Sequence, residues 1–126
     1  MIGYTMVGTK EIKKAGAFFD NVLGVLGAKR SMDHDNFIVW SVTPDQPSFS
    51  VCLPHNGEAA SVGNGVMTAF NAMSPKQVKE VYDCALENGG TTEGEPGERS
   101  DGFYAAYFRD ADGNKFAVFN FGGEIG

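Results

Sequence analysis

With 126 residues, 42% hydrophobic and 12% aromatic, the chain has enough apolar content for one packed domain, which excludes a disordered polypeptide. The formal net charge is −6, the pI is near 4.7, and no face gathers Lys and Arg. Nucleic acid, whose binding depends on neutralising phosphates, is therefore not expected as a partner.

In chain order, Ile2 to Gly8 reads as a short strand and Thr9-Lys10-Glu11 opens a helix. Ile12, Ala15, Phe19, Val22, Leu23 and Leu26 recur on one face of that helix, and Gly24 and Gly27 break it. Residues 36–42 and 48–53 read as strands, separated by a turn holding Pro44 and Pro47. Residues 55–64 are small, polar and Gly-containing, and read as a linker. Gly65 to Asn71 is the next strand. Ser74-Pro75 then gives an N-cap followed by proline at the first helical position. Val78, Val81, Tyr82, Ala85 and Leu86 form that helix's buried stripe, ended by Gly89-Gly90. Thr91 to Asp101 is acidic and Gly-rich, a mobile loop or weak strand. Phe103 to Phe121 is a β-hairpin turning at Asp112-Gly113-Asn114, residues that tolerate or supply positive φ.

Cys52 and Cys84 fall in a strand and a helix, without a CxxC or His/Cys cluster. Half-buried thiols are expected, and no structural zinc. No apolar run approaches the roughly 20 residues that span a bilayer, and no signal-peptide pattern is present. A cytoplasmic protein with no membrane partner is expected.

The two halves repeat. Phe19 and Tyr82, Asp20 and Asp83, Leu23 and Leu86, and Gly27 and Gly90 are each half a chain length apart. One half has a single helix to cover a single sheet face. Two copies joined edge to edge are therefore expected to give an α+β fold, a curled, partly closed mixed sheet around a cavity with helices outside. The expected single domain, 1–126, comprises one module over about 1–55, a linker over about 55–64 and a second module over about 65–122.

A βαβββ duplication with IGYTMVGTKEIKKAGAFFDNVLG at the front, GNGVMTAFNA in the middle and YFRDADGNKFAVFNF at the end resembles the glyoxalase/bleomycin-resistance/dioxygenase superfamily, the vicinal oxygen chelate proteins. The resemblance covers nearly the whole chain. It implies paired modules around a cavity, usually in a homodimer, and in the enzymes a divalent metal held by His or Glu from four strands, with open positions for adjacent substrate oxygens. The resemblance puts the four ligand positions at Tyr4, at Ser50 (with Cys52 on the same face), at Met67 and at Ala117. None is an imidazole or a carboxylate, a set unsuited to a hard or borderline ion, so neither metal nor cofactor is expected. The two histidines, His34 and His55, read as surface residues.

Within that family geometry, alternation puts Tyr4, Met6, Ser50, Cys52, Met67, Ala69, Asn71, Ala117 and Phe119 on the inward face, with Phe37, Trp40, Tyr104 and Tyr107 at its rim or floor. Such a wall suits an apolar or planar ligand; the same residues also suit a core that fills its own space. Arg109 is expected in a structural ion pair, and Arg99 in solvent. Three functions follow. The favoured one is a metal-free protein that binds or sequesters a small molecule. The second is a lyase or dioxygenase-type enzyme, and the third an interaction module that kept only the fold.

Overall fold

A computed structural model describes residues 1–122. The element order is β1 (Tyr4–Gly8), α1 (Ile12–Gly24), β2 (Lys29–Asp33), β3 (Phe37–Ser41), β4 (Ser48–Cys52), β5 (Thr68–Asn71), α2 (Pro75–Glu87), β6 (Thr91–Ser100), β7 (Phe103–Arg109) and β8 (Lys115–Phe121). The fold is α+β. Its strands form two four-stranded mixed sheets, ordered β1-β4-β3-β2 and β5-β8-β7-β6. In each sheet the strand before the helix pairs in parallel with the last strand, and the other ladders are antiparallel. The repeat in the sequence is thus a repeat of topology.

No ladder joins the two sheets, and neither sheet is closed, so the expected single curled sheet is replaced by two. What unites them is a common core. Phe19 on α1 is fully buried, with ring centroids 4.8 Å from Phe49 on β4 and 5.4 Å from Phe116 on β8. Phe49 in turn meets Phe70 of β5 at 5.2 Å. Aromatic contacts of this kind add to the burial of apolar area, which is the main stabilising term. Each sheet therefore turns one face toward the helices and the shared core, and leaves the other face free of helix.

Local signals explain most boundaries. Ser74 Oγ accepts the Gln77 amide at 3.1 Å, and Pro75 begins α2. After Asn88, Gly89 takes φ +97°, which an L side chain rarely adopts. In the last hairpin Gly113 takes φ +88°, and the Asp110 carboxylate accepts the amides of Asp112 and Asn114 at 3.0 and 2.9 Å. One strand departs from expectation. β2 is exposed along its length and carries a bulge between Arg30 and Met32, so it has no apolar alternation to betray it. β6 takes the strand alternative of the two expected for it: it is an edge strand templated by β7, and its register shifts absorb Gly94, Pro96 and Gly97. No helix among the described residues is long and apolar enough to cross a membrane.

The hairpin turn also holds the halves together. Asn114 Nδ2 donates to the Gly8 carbonyl at 2.9 Å and to Asp110 Oδ2 at 3.0 Å. Asp112 accepts from Thr9 Oγ1 at 2.6 Å and from the Lys10 amide at 2.9 Å, just ahead of α1. Gly8 leaves room for the linker: a Cβ there would lie 2.9 Å from the Cβ of Ala60.

Candidate functional site

The helix-free face of the first sheet is set by alternation. Phe49, Val51, Ile38 and Trp40 enter the core, so Ser48, Ser50, Cys52, Phe37 and Val39 face the other way, with Tyr4 and Met6 beside them. Tyr4 is 65% exposed and Met6 45%. A depression on this face is lined by Tyr4, Met6, Met32, Phe37, Val39 and Ser48. Crossing it is a hydroxyl rail: Ser31 and Ser41 are 2.9 Å apart, and Ser41 and Ser48 2.7 Å. Ser50 is fully buried, its Oγ donating to the Thr5 carbonyl at 2.7 Å. Burial pushes the Cys52 thiol up, away from the reactive thiolate.

On the second sheet the same reasoning puts Ala69, Asn71, Ala117 and Phe119 on the helix-free face, since Phe70, Phe116 and Val118 pack into the core. Ala117 opposes Tyr107, and Phe103 stacks on Phe119 at 5.6 Å. Met67 lies just ahead of β5, not within a strand, and is 44% exposed.

Two expected rim residues face the other way. Trp40 has the parity of Ile38 and is buried in the core, where its Nε1 donates to Asp20 Oδ1 at 2.9 Å. Tyr104 has the parity of Ala106 and packs against the same core. Tyr107 is on the helix-free face, ringed by cations: the Arg99 guanidinium carbon is 5.4 Å from its centroid and Lys115 Nζ 5.7 Å. Arg99 is exposed, as expected, and its guanidinium also lies against this ring. Arg109 pairs with Glu93 and donates to the Gly113 carbonyl at 2.7 Å. His34 stacks on Phe37 at 4.6 Å. The serine rail and the stacked Arg99 have no linear signature, because each depends on which strands become neighbours.

The donors at the four positions that the resemblance assigns to a metal do not fit a divalent ion. Tyr4 is an exposed phenol, the Ser50 hydroxyl hydrogen is spent on a backbone carbonyl, Met67 offers a thioether and Ala117 offers nothing. Among the described residues no group of three or more His, Cys, Asp and Glu is placed to hold a metal. The two faces are not turned on each other either, since Tyr4, Met6, Ala69 and Asn71 are open to solvent and no described depression is lined from both faces.

Residues 1–118 match the family model of the Glyoxalase/Bleomycin resistance protein/Dioxygenase superfamily. A glyoxalase/bleomycin resistance protein from Albidiferax ferrireducens is 36% identical, with 95% of this chain and 98% of that one covered and a TM-score of 0.88. A glyoxalase/bleomycin resistance protein/dioxygenase family enzyme from Burkholderia phytofirmans shares the fold at 19% identity, 94% and 97% coverage and TM-score 0.74. A lactoylglutathione lyase from Agrobacterium tumefaciens shares it at 18% identity, 95% and 92% coverage and TM-score 0.71. No curated protein matches the chain.

Proposed function

The chain belongs to the Glyoxalase/Bleomycin resistance protein/Dioxygenase superfamily, and on that premise we propose that it is a metal-free member that binds or sequesters a small apolar or aromatic molecule in the cytoplasm. The observation that carries this reading is the donor set Tyr4, Ser50, Met67 and Ala117. Tyr4, Met6, Cys52, Ala69 and Phe119, with Tyr107 and the neighbouring Met67, supply a soft wall over the buried Ser50 and Ala117, which suits a planar apolar ligand oriented by the exposed Tyr4 hydroxyl.

The cavity is completed in a homodimer. Each module, about 1–55 and about 65–122, contributes one helix-free face, and a second copy supplies the facing wall that encloses the ligand. Two features support this. Tyr4, Met6, Met32, Met67 and Phe121 are large apolar residues left exposed on or beside these faces. The accessible surface, 7510 Å², exceeds the roughly 6,500 Å² ordinary for a monomer of this mass. The surplus is close to what one partner buries in a standard interface.

The test is metal analysis of freshly purified protein, paired with melting scans against divalent ions and a panel of neutral and cationic aromatics. Substoichiometric metal, no shift with ions and a rise with an aromatic are expected. Stoichiometric metal would overturn the reading in favour of a lyase or dioxygenase. Silence across the whole panel would leave a fold kept as an interaction module.

A further inference from the structure

The chain holds three Asn-Gly pairs, Asn56-Gly57, Asn64-Gly65 and Asn88-Gly89. An asparagine in such a pair is open to attack by its own backbone, because glycine has no Cβ to keep its nitrogen off the side-chain carbonyl. The fold restrains the three to very different degrees. Asn88 closes α2 with both ends of its amide tied: Nδ2 donates to the Cys84 carbonyl at 2.7 Å, and Oδ1 accepts from Asn21 Nδ2 at 2.8 Å. The Gly89 nitrogen is also engaged, donating to the Leu86 carbonyl at 3.3 Å. In the linker, Asn56 Oδ1 accepts the Glu58 amide at 3.0 Å, and the Gly57 amide donates to the Pro54 carbonyl at 3.0 Å.

Asn64 has neither restraint. It is exposed, and among the described residues neither its side chain nor the Gly65 amide makes a hydrogen bond. The turn around it is closed by the Val66 amide donating to the Gly63 carbonyl at 3.2 Å, and Gly65 takes φ +93°. Nothing lies within 4 Å of where a Cβ on Gly65 would sit, so the peptide has room to rotate. Val62, Gly63 and Val66, on either side of the pair, line a small cleft with Val7 of β1 and with Thr68 and Lys115 of the second sheet. Met67 follows three residues after Asn64.

We propose that Asn64 is a self-modification site. The Gly65 nitrogen gives its proton to solvent base and attacks Asn64 Cγ. A new N–C bond closes a succinimide ring, the Cγ–Nδ2 bond breaks, and the leaving nitrogen takes a proton and departs as ammonia. Water then opens the ring at either carbonyl, leaving an aspartate or a β-linked isoaspartate at position 64. Only water is consumed, so the step needs no redox partner. Each event adds one negative charge to a chain of net charge −6. The β-linked product also lengthens the backbone by one methylene in the segment that leads into β5. Neither change depends on what the helix-free faces bind.

The experiment incubates the full chain in mildly alkaline buffer and maps its peptides over time by mass spectrometry with electron-transfer fragmentation, which separates aspartate from isoaspartate. Conversion at position 64 is expected at least about tenfold faster than at 56, with 88 slowest. In urea, where the restraints are lost, the three rates should converge to within about threefold. Ion exchange should resolve an acidic form that grows in step with conversion at 64. Asn64→Gln should remove most of that form at an unchanged melting temperature, and Asn56→Gln should leave it. Comparable rates at 56 and 64 in the folded chain would overturn the assignment, as would an acidic form that persists in Asn64→Gln. A folded chain that does not convert at 64 while the urea-unfolded chain does would overturn it too, because the turn would then protect the residue.

Discussion

Replacing Asn114 with alanine tests how the two halves are held together. The side chain is buried, and its amide nitrogen bonds the Gly8 carbonyl at 2.9 Å and the Asp110 carboxylate at 3.0 Å. Alanine keeps the backbone bond from residue 114 to Asp110 Oδ1 and loses both side-chain bonds. A neutral hydrogen bond contributes about 1 kcal/mol and one to a charged group about 1.5–3. Water reaching the half-exposed Asp112 side of the turn offsets part of that sum, leaving a loss of about 2–3 kcal/mol. At roughly 4 °C per kcal/mol for a chain of this size, the melting temperature falls by about 8–12 °C. Calorimetry and urea unfolding measure both quantities, and an unchanged urea slope would show that the denatured state is not what moved.

The companion variant, Asn114→Asp, sharpens the test. Burial already pushes the Asp110 carboxyl up, and the donors from Asn114 pull it back. A second carboxylate at the same place prevents both from being ionised at once. The folded pair then holds a proton to higher pH than the unfolded chain does, so stability is full at low pH and is lost as pH rises through the raised value. Asn114→Asp should be less stable than Asn114→Ala at pH 7, with the gap closing toward pH 4. A loss below about 0.5 kcal/mol in the alanine variant, or a flat pH profile in the aspartate variant, would refute the joint.

Three further outcomes are expected. The Arg30 guanidinium holds the Asp20 carboxyl below its ordinary value of 3.8, so the unfolded chain takes up the proton first as pH falls; the wild type should lose stability below about pH 4 more steeply than Asp20→Asn, by no more than ~1 kcal/mol at this half-exposed pair, and identical acid profiles would dismiss the linkage. Phe19→Ala empties the centre of the shared core and should cost about 3–5 kcal/mol in urea unfolding, as one transition; two separated transitions would mean that the sheets have independent cores. On the proposed homodimer, Met6→Lys places a charge in the interface and should shift sedimentation from dimer to the 13.5 kDa monomer while leaving the far-ultraviolet spectrum unchanged; a wild type that sediments as a monomer would refute the dimer, and a dimer that persists in the variant would show that this face is not the interface.

The strongest local signals in the sequence are the ones the structure keeps. Ser74-Pro75 starts a helix because a hydroxyl caps an amide that would otherwise lack a partner and proline has no amide to lose. Asp112-Gly113-Asn114 turns the hairpin because Gly113 takes a positive φ at no steric cost. Both depend on neighbours in sequence. Lys29–Asp33 and Thr91–Ser100 became strands only because β3 and β7 offered open edges, and neither segment carries a pattern of its own. Trp40 shows the limit most directly. Its size suggests a ligand wall, and one residue of parity sends it into the core, onto Asp20 and Phe19.

By itself the sequence determined the duplication, the two helices, the final hairpin and the chemistry available at Tyr4, Ser50, Met67 and Ala117, because periodicity, capping and residue type are all written locally. Only the tertiary structure decided that the halves meet through a shared aromatic core on their helix sides, that their other faces stay open to solvent, and that Arg99 and Lys115 flank Tyr107. Those outcomes depend on which surfaces bury together, a competition among distant apolar faces that no local stretch of chain records.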